Sequence, residues 1–253
     1  MTLVVGHRGA AAEAPENTLA SFQLAVEQGA DAVELDVHLT ADRELAVIHD
    51  ATLERTTDRR DAVADVTMAQ VREADAGYEF SRPGDAGFPF RGQGLRVPTL
   101  GEILDWLPDD IGLVIEIKAP AAIEPAVTAL RDHPVRTSDR VSLISFHEAA
   151  IEEARRLDPG LATGYLLVPT QPIEPALVWA TEHGHAAVLP WEGDLGLDPA
   201  PILSRAMAFG RRIGCYVVND PERMRHLAAY GIWGFVTDVP GVARAALGPR
   251  AAS

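Results

Sequence analysis

Between Asp31 and Thr40 the chain alternates, with Val33, Leu35 and Val37 apolar and Glu34 and Asp36 acidic. A period of two is that of a β-strand, whose successive side chains point to opposite faces. One face of this strand therefore carries two carboxylates while the other enters an apolar layer. Short apolar runs recur at residues 3–7, 112–117, 141–145, 162–167, 186–189, 212–217 and 234–237. Between them lie stretches with apolar residues three and four apart, the helical period. These cover residues 19–28 (closed by Gly29), 123–132, 149–157, 173–183, 201–209, 221–230 and 239–247. Thr99-Leu-Gly-Glu102 has the form of a capping box and opens a further helix to Leu107.

Strand and helix in alternation imply parallel strands joined by crossovers. Eight such units in about 250 residues predict a (β/α)8 TIM barrel, formed here as one domain over residues 1–253. An open doubly wound sheet is the alternative. It usually carries a glycine-rich phosphate loop after its first strand, and none is present. Residues 45–48 are a further apolar run leading into His49-Asp50, after which the rhythm breaks over residues 51–98. That segment holds Arg55-Thr-Thr57, a short helical stretch at 68–73 and a tract rich in Gly, Pro and Phe at 78–98. It reads as a short excursion after the second strand, placed over one mouth of the barrel, because loops of this length are usually functional or disordered.

Composition narrows the partners. With 253 residues, 47% hydrophobic and 23% charged, the chain has ample material for a core. Its net charge of −15 opposes a phosphate backbone, so a nucleic-acid partner is not expected. A small anionic substrate remains compatible, since a local cation overrides the global field. Cys215 lies in the apolar run 213–217 and is expected to be buried and inert. No apolar run approaches the ~20 residues of a membrane span, and no basic-then-apolar leader opens the chain. The expected setting is cytoplasmic, without stable membrane anchoring.

A TIM barrel gathers its functional residues at the C-terminal ends of its strands. His7 and Arg8 end the first strand, Glu34 and Asp36 lie on the second, and Glu116 and Lys118 share a face of the third. Ser145 and His147 follow the fourth, Trp191 and Glu192 the sixth, Asn219 and Asp220 the seventh, and Asp238 the eighth. Glu34, Asp36 and Glu116 would then face one point, an all-oxygen set suited to Mg2+, Ca2+ or Mn2+ rather than zinc. Arg8 and Lys118 beside them supply fixed positive charge for a phosphate. His7 and His49 are natural acid and base, since imidazole titrates near neutral pH. Two such groups either side of a metal-bound phosphorus suit an in-line displacement. Taken singly, each residue has a structural reading as well. His7 would cap a turn, Lys118 and Glu116 would form a rim ion pair, and Asn17 would be a helix N-cap. His38 would serve packing, and Arg55 with its threonines would fix a turn. The conjunction carries the functional reading.

The pieces His7-Arg-Gly9, Pro15-Glu-Asn-Thr18, Glu34-Leu-Asp36, Val47-Ile-His-Asp50, Leu53-x-Arg-Thr-Thr57, Pro98-Thr-Leu-Gly-Glu102 and Glu116-Ile-Lys118 occur in that order. Ser145-Phe146, Val218-Asn219-Asp220 and Gly234-Phe-Val-Thr-Asp238-x-Pro240 follow. In this the chain resembles the glycerophosphodiester phosphodiesterase family over nearly its whole length. The resemblance implies a metal-dependent barrel enzyme that hydrolyses small glycerophosphodiesters to sn-glycerol 3-phosphate and an alcohol. It implies metal at Glu34, Asp36 and Glu116, an acid–base pair of His7 and His49, and substrate contacts from Arg8, Glu16 and Lys118. It also admits attack by the substrate's own glycerol hydroxyl, giving a cyclic phosphate. A lysophospholipase D and a barrel that stops at the cyclic phosphate are the related alternatives. A non-catalytic phosphate binder would lack a metal ligand or a histidine, and every such position is filled. Two features depart from the family. Tyr216 is the nearest aromatic where a tryptophan often precedes the asparagine of strand seven, and the excursion after strand two is short and Gly-rich.

Overall fold

The computed structural model describes residues 2–134 and 140–249. Strand β1 (Leu3–Gly6) leads through a tight loop to helix α1 (Leu19–Glu27) and strand β2 (Ala32–Leu39). The chain then reverses and returns as β3 (Leu45–Val47), antiparallel to β2. The excursion follows, with its short helix α2 (Met68–Val71), before α3 (Leu100–Trp106) restores the alternation. From there come β4 (Gly112–Ile117), α4 (Ile123–Asp132), β5 (Val141–Ser145), α5 (Glu148–Leu157) and β6 (Ala162–Leu166). The chain continues through α6 (Ile173–Glu182), β7 (Ala187–Leu189), α7 (Ala200–Ala208), β8 (Arg212–Cys215), α8 (Pro221–Ala229), β9 (Gly234–Thr237) and α9 (Pro240–Leu247). The parallel strands run in the order β1-β9-β8-β7-β6-β5-β4-β2, and β1 pairs with β2 to close them into a TIM barrel.

The registers decide which side chains meet. Val5 lies beside Ala32, Glu34 beside Val114, Asp36 beside Glu116, and Glu116 beside Ile144. Those residues point into the barrel together. Val33, Leu35, Leu113, Ile115 and Leu143 face outwards and pack with Phe22, Ile103 and Leu130 of the surrounding helices. On the far side Val4, Val188, Ile213 and Phe235 pack with Leu177, Met224 and Leu227. Each fully buried Leu, Ile or Phe contributes about 1.5–3 kcal/mol. A one-residue slip of β2 would turn Glu34 and Asp36 into that outer layer, so the alternation locks the register.

Two features that the strand pattern did not specify shape the site. The run at residues 45–48, outside the eight expected parallel strands, forms the antiparallel β3. β1 pairs with residues 32–33 of β2 and β3 with residues 37–39, while β4 covers residues 32–37. Since β4 holds one edge, β1 and β3 share the other, and β3 begins where β1 has ended. The reversal brings the chain back to the level of the acidic residues, where Ile48 N donates to the Asp36 carbonyl at 3.0 Å. His49 follows at once. The excursion is also more than a loop, since Ile48, Leu53, Val63, Met68, Val71 and Val97 form an apolar cluster of their own.

Helix starts follow local chemistry. Thr99 and Glu102 form the expected capping box of α3. Asp220 caps α8, accepting from the amides of Glu222 and Arg223, with Pro221 in the first turn. For α1 the cap is Thr18, whose hydroxyl accepts from Ser21 N, which corrects the reading of Asn17 as the N-cap. Asn17 is drawn instead towards β2. Among the described residues no helix is long and apolar enough to cross a membrane.

Candidate active site

Glu34 and Asp36 from β2 and Glu116 from β4 converge because their positions are paired in register. All three are buried, at 3%, 0% and 7% exposure, and each offers an oxygen within 4.8 Å of the others. The loop after β1 wraps this cluster. Arg8 N donates to Glu34 Oε2 at 3.0 Å, Arg8 Nε lies 3.1 Å from Asp36 Oδ2, and Arg8 Nη1 donates to Glu16 Oε1 at 2.8 Å. The Asn17 amide donates to Asp36 Oδ2 at 2.8 Å and accepts from Asp36 N at 3.3 Å. Arg8, Gly9 and Asn17 all adopt positive φ to make this possible. A Cβ at Gly9 would stand 2.3 Å from Ser21 Oγ, so only glycine fits that turn. From the other side Lys118 Nζ lies 3.0 Å from Asp36 Oδ1 and 2.6 Å from Glu116 Oε1.

Three carboxylates thus face two fixed cations. Burial, reinforced by repulsion from Asp36 and Glu116, pushes Glu34 well above the usual carboxyl range. Burial and the Asp36 charge push Glu116 up to about 7. For Asp36 burial acts the same way, but Lys118 and Arg8 overcome it and hold the group below its ordinary value. Asp36 Oδ1 is buried and accepts no hydrogen bond; Lys118 Nζ meets it as a charge contact only. A hard-oxygen set with a spare acceptor and a surplus of negative charge fits a divalent cation held by these three residues.

Two imidazoles flank the cluster, each fixed by a carboxylate. His7 Nδ1 donates to Asp238 Oδ1 at 2.6 Å, and Asn219 Nδ2 donates to Asp238 Oδ2 at 2.6 Å. Burial would raise Asp238, but the hydrogen bond and charge of His7 hold it below its usual range. His49 Nδ1 donates to Asp50 Oδ1 at 2.5 Å. Burial pushes His49 below the ordinary imidazole value. With Nδ1 committed, Nε2 is the nitrogen each ring has left for chemistry.

Asp50 also accepts from Arg55 Nε at 2.6 Å, and both terminal nitrogens of Arg55 donate to Glu16 at 2.7 Å. Arg55 therefore does more than fix its turn, and Glu16 sits between two guanidinium groups. Charges alternate along Asp50, Arg55, Glu16, Arg8 and Asp36. Despite burial, the hydrogen bonds from Arg55 and His49 lower Asp50 from 3.8 to about 2. A depressed carboxyl stabilises the fold above its unfolded value and loses that contribution as pH falls through the folded one. Asp50→Asn is accordingly expected to cost on the order of 1 kcal/mol at neutral pH, after allowance for solvent screening. That is about 2–4 °C in Tm for a chain of this size. The deficit against wild type should close as pH falls from about 4 towards 2. A deficit independent of pH across that window would count against the ion pair.

The remaining sequence candidates take structural places. Ser145 Oγ donates to the Ile117 carbonyl at 2.9 Å and accepts from His147 N at 3.2 Å. His38 Nε2 bonds the His49 carbonyl at 3.0 Å, which fixes the segment carrying that residue. Cys215 is buried, and burial pushes its thiol up. Tyr216 donates to the Leu167 carbonyl and meets Phe146 edge to face, ring centres 5.8 Å apart. Burial first, then the Glu116 charge, push Tyr216 up to about 12. Trp191 bridges to Tyr216 from the end of β7. The mouth is therefore charged where β1, β2 and β4 end and aromatic where β5, β7 and β8 end.

Residues 7–242 match the model of the Glycerophosphoryl diester phosphodiesterase family. A glycerophosphodiester phosphodiesterase of Caldanaerobacter subterraneus subsp. tengcongensis is 33% identical over 245 residues, covering 94% of this chain and 95% of its own. A phosphodiesterase of Oleispira antarctica, solved in complex with the product sn-glycerol-3-phosphate, superimposes with a TM-score of 0.82. It is 26% identical, over 98% of this chain and 97% of its own. The glycerophosphodiester phosphodiesterase structure from Agrobacterium tumefaciens has a TM-score of 0.79 at 30% identity, over 97% of this chain and all of its own. With the family model spanning the barrel from the first histidine to the last helix, this chain belongs to the glycerophosphoryl diester phosphodiesterase family.

Proposed function

We propose that this enzyme hydrolyses small glycerophosphodiesters to sn-glycerol 3-phosphate and an alcohol, with His7 and His49 as the acid–base pair. One arrangement carries the reading: three buried carboxylates within 4.8 Å, countered by Arg8 and Lys118 and flanked by two imidazoles held on carboxylates. A divalent cation (Mg2+, Ca2+ or Mn2+) on Glu34, Asp36 and Glu116 would stabilise negative charge developing on the phosphoryl oxygens.

Arg8 and Lys118 add fixed positive charge beside the phosphoryl group, and Glu16 aims Arg8 through its 2.8 Å hydrogen bond. One imidazole takes the proton of the attacking hydroxyl as the new P–O bond forms. The other delivers a proton to the departing alkoxide as the old P–O bond breaks. Where the substrate's own glycerol hydroxyl attacks, water then opens the cyclic phosphate to glycerol 3-phosphate with the roles of the two imidazoles exchanged. Asp238 and Asp50 hold the two rings in the tautomer that leaves Nε2 free. Phe146 and Tyr216, packed edge to face, form an aromatic wall at the strand ends opposite Arg8 and Lys118.

The test is release of glycerol 3-phosphate from glycerophosphocholine and glycerophosphoethanolamine, first in EDTA and then with each metal restored. Release that requires metal is the expected outcome, and no release with any metal would overturn the reading. A lysophospholipase D activity is the second reading. It is favoured by Val168, Trp191 and Leu197, exposed apolar residues on the loops that follow β6 and β7. Faster choline release from lysophosphatidylcholine than from glycerophosphocholine would establish it.

A further inference from the structure

Beneath the carboxylates the barrel is hollow. A cavity of about 360 Å3 occupies its N-terminal half, and neither the three carboxylates nor the two histidines line it. The cause lies in the inward positions, which are Ala32, Gly112, Gly164, Ala187, Gly214 and Gly234 around the ring. TIM barrels ordinarily fill these layers with branched Val, Ile and Leu side chains. Inward-facing Val5, Ile144, Leu189 and Val236 keep 4–5% exposure, whereas outward-facing Val4, Leu113, Leu143 and Val188 keep none. The first set borders space and the second is packed. The volume is more than twice that of a ~150 Å3 apolar cavity able to take up benzene, and it falls within the ~300–1,000 Å3 of ligand pockets.

Walls and mouth select the ligand. Apart from the inward Ser142 hydroxyl, the walls are hydrocarbon and bare backbone, and the bore of an eight-stranded barrel admits one slender molecule. Of the charged residues at the open end, Asp31 is bonded by Arg244 and by Val4 N. Arg140 donates to the carbonyls of Pro108 and Ile111, and Asp110 has partners too. Arg212, the first residue of β8, is exposed and stacks on the Trp233 ring, its guanidinium carbon 5.0 Å from the centroid. Among the described residues no carboxylate pairs with it. We propose that this cavity is a second binding site, which takes an unbranched aliphatic carboxylate with its hydrocarbon inside the barrel and its head group at Arg212. The inference does not depend on the phosphodiester reading of the other mouth.

Calorimetric titration of the whole protein with dodecanoate, below its micelle concentration, tests this. Dodecanol and dodecyltrimethylammonium serve as head-group controls. Saturable binding of one dodecanoate per chain, undiminished by saturating glycerol 3-phosphate, is expected. Arg212→Gln should weaken dodecanoate about fivefold, the scale of one exposed ion pair, and leave dodecanol unchanged. Ala187→Leu should abolish both while leaving catalysis intact. Should that variant fail to fold, Ala32→Leu from the opposite wall carries the same expectation. No saturable binding by the wild type would overturn the proposal. So would equal binding of the cationic amphiphile, or binding that survives in a folded cavity-filled variant.

Discussion

His7→Ala and His49→Ala are each expected to lower kcat by about 10²–10⁴-fold while the barrel stays folded. The fold should survive because neither substitution strands a charge. Without His7, Asp238 still accepts from Asn219, and without His49, Asp50 still accepts from Arg55. Both rings are also partly exposed, at 19% and 32%, so little packing is lost. Circular dichroism and thermal melts check the fold, and turnover of glycerophosphocholine checks the chemistry. A diester with a p-nitrophenol leaving group then separates the two roles, because that group departs without being protonated. The variant lacking the general acid should recover most of its rate on it, and the variant lacking the base should not. Wild-type turnover in either variant would remove that histidine from the pair.

The acidic half of the site is legible from the chain because a two-residue period says which residues share a face, and parallel pairing then stacks those faces. Glu34, Asp36 and Glu116 needed only the strand pattern and the order of strands. The supports of the histidines are of another kind. Asp50 adjoins His49 in sequence, but its partner Arg55 also spans to Glu16, 39 residues away. Asp238 lies 231 residues from His7, and the two meet only because β9 pairs with β1 as the barrel closes. No local periodicity reports a contact created by closure.

Asn17 shows a different limit. Asn is a good N-cap in general, which is why the local sequence points to Asn17 although Thr18 takes that role. The buried Asp36 carboxylate decides it, because a buried charge without donors costs far more than a helix cap contributes. The reversal into β3 was equally hidden. Residues 45–48 read as apolar in any direction, and only their pairing with residues 37–39 shows that the chain turns back to set His49 beside Asp36. The hollow floor, by contrast, was written in plain glycines and alanines. Its meaning depended on knowing that Gly112, Gly164, Gly214 and Gly234 all face inwards.

Glu34→Gln is expected to give the second large effect, and to give it with opposite signs in two conditions. Among the three carboxylates, Glu34 has the least internal compensation. Lys118 serves Asp36 and Glu116, while Glu34 receives only the Arg8 amide and charge, and burial with the repulsion of Asp36 and Glu116 holds it closer to its neutral form than it would be in water. Because its folded value is raised, its ionised form opposes folding as pH rises past the usual carboxyl range. The neutral amide of similar shape removes that repulsion, so in EDTA near neutral pH the variant should melt no lower than wild type. A saturating divalent cation should reverse the order. A ligand at about 100 times its Kd stabilises by about 2.7 kcal/mol, or about 5–10 °C for a chain of this length. Wild type should show that gain and the variant little of it, with turnover down by about 10²–10³-fold or more. Melting both proteins with and without Mg2+, Ca2+ and Mn2+ therefore reads the metal site without relying on activity. A variant that gains as much from metal as wild type would take Glu34 out of the cation site. One that melts far lower in EDTA would make its role that of a structural hydrogen-bond acceptor for the Arg8 loop.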